Sequence, residues 1–171
     1  MDLLMEITRI FLYIIPFYFA NSSAMIFGGK TPLDMGIKLN NHRILGKGKT
    51  FKGTIAGILI GTLVAILIQF IYPSVNEILI TNYVLFGFLV SVGAMIGDIA
   101  GSFFKRRAGI ESGEEVLFLD QLDFVFGAII LGSIVYVPDF YEILGICILT
   151  LFVHKISNWI AFKLKIKKVP W

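Results

Sequence analysis

The sequence predicts an all-α integral membrane protein of five transmembrane helices, with its N-terminus outside and its C-terminus cytoplasmic. Three observations predict it. Of 171 residues, 57% are hydrophobic and 16% charged, against roughly 45–50% and about 25% in a soluble domain. The apolar residues fall into five long runs, and about 20 residues make one span. The basic residues cluster in the segments that five spans place on one side. Together these exclude a sizeable soluble domain and leave one transmembrane domain over 1–171. The single cysteine, Cys147, excludes a disulfide framework, a thiolate zinc site and a redox pair. The net charge of +3 follows from where the basic residues sit on a membrane chain and gives no reason to expect nucleic acid.

The first span is expected at 3–27. Its flank carries Asp2 and Glu6 rather than a positive cluster, so it is not a secretory signal. Pro16 should interrupt its hydrogen-bond ladder, and Asn21, Ser22 and Ser23 need polar partners, so this segment is expected to line a cavity. Its aromatic residues Phe11, Tyr13, Phe17, Tyr18 and Phe19 are expected to contact lipid. A basic loop, 28–53, follows and leads into the second span at 54–72. The third span is expected at 82–104, the fourth at 122–138 and the fifth at 140–163, with a second cytoplasmic loop at 105–121. Lys30, Lys38, Arg43, Lys47, Lys49, Lys52, the Lys105–Arg107 run and five C-terminal lysines put 14 of 15 basic residues on one side, with Arg9 alone opposite. By the positive-inside rule that side is cytoplasmic. Gly53, Gly57 and Gly61, and Gly93, Gly97 and Gly101, form stripes that are expected to hold the second and third spans side by side, or equally to serve an intermolecular contact.

Chemistry concentrates between Gly97 and Phe124. Asp98 lies near the end of a span, where an unpaired carboxylate costs a few kcal/mol, and this makes it a functional candidate. In a helix continuing to 105, Asp98, Ser102 and Lys105 share a face. Asp120 and Asp123, three apart, share another. Oxygen ligands without His or Cys suit a hard cation, so the expected metal is Mg²⁺ or Mn²⁺. The competing reading makes these aspartates helix caps and ion-pair partners of Lys105–Arg107. The segment Gly46-Lys47-Gly48-Lys49-Thr50 is not a Walker A loop, because position 43 is Arg where that motif needs Gly. It still offers glycines, lysines and a helix N-terminus to phosphate. His42 and His154 are expected at the membrane interface. Neither nucleophile nor triad is visible, which agrees with phosphate chemistry driven by positioning and charge stabilisation.

Gly97-Asp98, Ser102-Phe103, Lys105-Arg106-Arg107 and Leu119-Asp120-Gln121-Leu122-Asp123-Phe124 resemble the archaeal CDP-archaeol synthases, as do the chain length and the Gly-Lys-Gly-Lys-Thr loop. The chain is more distantly similar to phosphatidate cytidylyltransferases. Their signature has a Lys-Asp pair and a later Asp-Arg-x-Asp, where this chain reads Gly97-Asp98 and Asp120-Gln121-Leu122-Asp123. The aspartates match and the basic flanks do not, so those basic roles are not carried over; Lys105 to Arg107 are the substitutes at hand.

The resemblance implies transfer of a cytidylyl group from CTP to an isoprenoid ether lipid phosphate, digeranylgeranylglyceryl phosphate, at the cell membrane. Asp98, Asp120 and Asp123 would hold Mg²⁺, and Lys49, Lys105 and Arg106 would neutralise the triphosphate. Asn21, Lys47, Thr50, Ser102 and Arg107 would contact nucleotide or lipid phosphate. The alternatives are a CDP-alcohol phosphotransferase, whose Asp-Gly-x-x-Ala-Arg run is missing here, and a divalent-cation transporter.

Overall fold

The computed structural model describes residues 3–39, 42–112, 114, 116 and 118–163, and all side chains among them except those of 157, 158, 160 and 161. Asp2, Gly113, Glu115, Lys165, Lys167 and Lys168 therefore lie outside the described residues. The described residues form six helices and a small hairpin, in the order α1 (Leu3–Ile26), β1 (Lys38–Leu39), β2 (His42–Arg43), α2 (Phe51–Ile71), α3 (Val75–Ile78), α4 (Tyr83–Arg107), α5 (Leu119–Gly132) and α6 (Phe140–Lys163). Among the described residues, α1, α2 and α4 are long and apolar enough to cross a membrane. The all-helical expectation needs one correction, because the basic loop contains the antiparallel β1–β2 pair, with Lys38 opposite Arg43 and Leu39 opposite His42.

Three helices also differ from the expected spans at their ends. Helix α2 begins at Phe51 rather than 54, because Thr50 caps it: its hydroxyl accepts from Gly53 N at 3.1 Å and from Gly29 N at 3.0 Å. Helix α4 runs on to Arg107, through the basic run assigned to a loop, and basic side chains in a last turn suit the helix dipole. Helix α5 is displaced and short, Leu119–Gly132 in place of 122–138. It closes where the N–H groups of Val135 and Tyr136 both return to the Gly132 carbonyl, at 3.0 and 2.9 Å. Its 14 residues reach about 21 Å at 1.5 Å each, less than a hydrocarbon core of about 30 Å. Helix α6 keeps its expected bounds, and its start is fixed reciprocally: Glu142 N donates to Asp139 Oδ1 at 2.8 Å and Asp139 N to Glu142 Oε2 at 2.9 Å.

The glycine stripes join the expected pair and two others besides. A Cβ at Gly53, Gly57 or Gly61 would stand 2.6–2.8 Å from the carbonyl oxygens of Ala24, Ala20 and Pro16, so the α2 stripe seats on a ridge of α1 spaced every fourth residue. The stripe of α4 faces α5: Gly93 meets the Gly127 backbone, and Gly97 meets the Asp123 carbonyl. The expected side-by-side contact of α2 and α4 is also present, with Met95 Sδ and Ser91 Oγ of α4 against Gly57 and Gly61 and Ala65 of α2 against Gly87. Pro16 is buried within a continuous α1. Tyr13 and Phe17, expected in lipid, are core residues, whereas Phe11 and Phe19 stay exposed. Tyr13 meets Phe86 edge-on at 4.8 Å, and Phe17 meets Phe124 at 5.8 Å, tying α1 to α4 and α5 below the polar end of the bundle.

Candidate active site

The last turns of α1 and α4, the first turns of α2 and α5, the basic loop and part of α6 enclose a cleft of about 510 Å³, within the range of small-molecule sites. Most of the residues singled out in the sequence meet in it. Helix α4 supplies Asp98, Ser102, Lys105 and Arg106, helix α5 Asp120 and Asp123, and helix α1 Asn21. Lys49 and Thr50 come from the loop. Lys47 and Arg107 are placed outside. Lys47 is exposed. The Arg107 guanidinium lies 5.4 Å over the Phe103 ring and donates to the carbonyls of Leu39 at 3.1 Å and Arg43 at 2.9 Å, so it fastens the hairpin to the end of α4.

Cations and carboxylates alternate around the cleft. Lys49 Nζ stands 2.5 Å from Asp98 Oδ1. Lys105, only 7% exposed, places Nζ 2.8 Å from both oxygens of Asp120 and 2.5 Å from the Glu114 carbonyl. Asp120 also accepts from Val116 N at 2.9 Å. Asp123 lies flat against α4 in the space left by Gly101, where a Cβ would overlap its Oδ2, and its Oδ1 accepts from Phe124 N at 2.6 Å. Arg106 donates to the Ile110 carbonyl, and its buried Nε has no hydrogen-bond partner among the described residues.

The three carboxylates share the cleft without closing on one point. Among the described residues, no three His, Cys, Asp or Glu side chains gather closely enough to hold a metal by themselves. Such a cage is not required for Mg²⁺, which keeps waters and usually takes one or two carboxylates plus substrate phosphates. The donor set fits a hard cation carried on a triphosphate.

The α2 N-terminus offers less than the sequence suggested. Phe51 N donates to the Thr31 carbonyl at 3.2 Å and Thr54 N to the Thr50 carbonyl at 3.0 Å, while Gly53 N is bound to the Thr50 hydroxyl. The loop's contribution to the cleft is thus chiefly the Lys49 ammonium. Sequence reading missed several groups. His154, Thr54 and Ser112 line the cleft, the first having been set at the membrane interface; Ser22 lines it too, as the cavity expected at 21–23 requires. Asp34 was not singled out at all, although its buried carboxylate accepts from Gly36, Leu45 and Gly46 N at 3.0–3.1 Å and pairs with Arg43. Burial raises its pKa, but the guanidinium and the three N–H groups outweigh that and hold the carboxyl well below the usual carboxylate range.

The CDP-archaeol synthase family model (CarS-like) matches residues 1–171. The chain belongs to the CDP-archaeol synthase family. A CDP-archaeol synthase of Methanocaldococcus jannaschii is 48% identical over 166 residues, covering 93% of this chain and 94% of that protein. One of Sulfolobus acidocaldarius is 40% identical over 162 residues, covering 94% and 95%. A solved structure, described as an intramembrane enzyme for archaeal membrane lipid biosynthesis, matches with a TM-score of 0.78 and 32% identity over 86% of this chain and 90% of that one. As a CDP-archaeol synthase family member the chain is an enzyme, a cytidylyltransferase acting on a lipid phosphate. The phosphotransferase and transporter alternatives are set aside by that full-length match.

Proposed function

We propose that the cleft transfers the cytidylyl group of CTP to digeranylgeranylglyceryl phosphate, with Mg²⁺ (or Mn²⁺) as cofactor. The alternation of Asp98, Asp120 and Asp123 with Lys49, Lys105 and Arg106 around one cleft carries this reading, because a metal–triphosphate needs carboxylates for its cation and ammonium or guanidinium groups for its phosphates. The lipid phosphate, already an anion, attacks the α-phosphorus of CTP; one P–O bond forms, the bond to the β-phosphate breaks, and pyrophosphate leaves. No side chain has to remove a proton. Asp98, Asp120 and Asp123 would hold the metal ion, which when bound supplies charge neutralisation to the phosphate oxygens. Lys49 faces the nucleotide from the loop, and Lys105 and Arg106 face the departing pyrophosphate from α4. Asn21, Thr50 and Ser102 offer hydrogen-bonding groups to nucleotide or lipid phosphate.

We read α5 with the segment after it as the fourth crossing and α6 as the fifth, with the N-terminus outside, the C-terminus inside and the cleft on the cytoplasmic side of the cell membrane. The concentration of basic residues at the cleft end supports this orientation. Purified protein in detergent should release pyrophosphate with CTP, Mg²⁺ and the ether lipid together, and not with the other three ribonucleoside triphosphates. Silence with every combination, from folded protein, would overturn the reading. Asp98→Asn, Asp120→Asn and Asp123→Asn should each abolish turnover; full activity in all three would remove the metal assignment.

A further inference from the structure

The loop that brings Lys49 to the cleft is clasped by a second strand of chain, 31–36. The wholly buried Asp34 side chain accepts at Oδ2 from Leu45 N at 3.1 Å, Gly46 N at 3.0 Å and Arg43 Nε at 3.2 Å, and at Oδ1 from Gly36 N and an Arg43 Nη2. Just before it, Leu33 N donates to the Lys49 carbonyl at 2.7 Å, and the Thr31 carbonyl accepts from Phe51 N at 3.2 Å. Asp34 therefore holds the loop at 43–46 and its neighbours hold it at 49–51. Only Lys47 and Gly48, both exposed, lie between the two grips. Gly46, gripped by Asp34, has φ 97° and approaches Arg106 Nε and Ser112 so closely that its Cβ position lies 3.7 and 3.3 Å from them. The same grip thus sets the loop against two walls of the cleft. A lysine side chain has four rotatable bonds and large rotamer entropy, so the position of its backbone decides how often its ammonium is where a phosphate needs it.

We infer that Asp34, acting through Arg43 and the backbone of 43–49, is a positioning residue for nucleotide binding that presents Lys49 to the triphosphate. The inference rests on the assignment of Lys49 to CTP. Asp34 itself touches no substrate, because its oxygens are all taken by the loop.

The test is a double-mutant cycle on steady-state constants, measured separately for CTP and lipid phosphate. Asp34→Asn should raise KM for CTP by about tenfold and leave KM for the lipid and kcat within about twofold. On a Lys49→Ala background the same substitution should add less than about twofold, since the group it positions is gone. An equal factor on both backgrounds, or a parallel change in the lipid KM and kcat, would show general damage and overturn the inference. Arg43→Lys keeps a cation beside Asp34 but loses the two-point contact; it should give a smaller rise in the CTP KM with the same non-additivity, and it decides the question if Asp34→Asn does not fold. A Lys49→Ala enzyme with unchanged CTP affinity would sink the assignment of Lys49, separately from any effect at Asp34.

Discussion

Asp123 keeps its place because residue 101 has no side chain. A methyl group at Gly101 would overlap the carboxylate, whereas one at Gly93 would strike the backbone of Gly127, and neither Gly93 nor Gly127 lines the cleft. Gly101→Ala should therefore lower pyrophosphate release at least about tenfold and raise the Mg²⁺ concentration needed for half-maximal rate, while Gly93→Ala should act mainly through a lower Tm. Asp34 gives a pH prediction with a definite sign. Its carboxyl is held below the ordinary value, so the stability it contributes is complete above the unfolded-state pKa near 3.9 and is lost as pH falls beneath that toward the folded one. The difference in Tm between wild type and Asp34→Asn should be constant from pH 5 to 8 and shrink below about pH 4. At this scale the sequence was readable wherever one helix carried the relation: Asp98, Ser102 and Lys105 meet in the cleft as their i, i+4, i+7 spacing required. Asp34 was not readable, because what makes it matter is backbone N–H groups up to 12 residues away, which no side-chain pattern encodes. His154 was missed because its helix is placed by contacts with α1 and α5, not by anything beside it in the chain.

Among the elements, α2 depends on one hydroxyl. Thr50 accepts from two separate N–H groups, Gly53 within the helix and Gly29 in the loop, so Thr50→Val removes a cap and a tie at once. A cap alone contributes about 1 kcal/mol; the variant should show that loss or more in thermal unfolding, and Thr50→Ser should restore it. Helix existence was legible from hydropathy, and four of five expected spans overlap their helices closely. The fourth failed at its end because a continuous apolar run does not record where the chain turns: Ile134, Val135 and Val137 look helical by composition, yet the ladder closes at Gly132. The further partners of the glycine stripes, α1 and α5, were likewise hidden. A stripe announces a close approach without naming the other helix, and its complement here, Pro16, Ala20 and Ala24, is too ordinary to notice. The β1–β2 pair is only two residues per strand, below what alternation can reveal.

For the whole molecule, the basic loop, the C-terminal end of α4 and the start of α5 converge on one end of the bundle, and Arg9, whose Nε donates to the Ile78 carbonyl at 3.2 Å, belongs to the other. In a Cys147→Ser background, a membrane-impermeant thiol reagent applied to sealed inside-out vesicles should label Ser112→Cys and spare Ser74→Cys; the reverse pattern would invert the proposed orientation. Membrane character and the acidic block were legible at this scale because they are properties of composition and of one contiguous segment; of the five expected spans, three are helices long and apolar enough to cross a membrane among the described residues. The pairing of Asp98 with Lys49 was not, since the two lie 49 residues apart, whereas that of Asp120 with Lys105 belonged to the competing reading of the aspartates as ion-pair partners. These pairings have a consequence for the order of events. In the proposed reaction a lone cation taking Asp98 or Asp120 would compete with an ammonium for the carboxylate, and a lone nucleotide drawing on Lys49 or Lys105 would part it from its carboxylate; unpaired charge in a partly dry site is expensive. A cation and a triphosphate arriving together simply exchange partners with the two ion pairs and leave nothing stranded. On the proposed reading, the two ion pairs would make the enzyme favour the metal–triphosphate complex over free phosphate or free Mg²⁺.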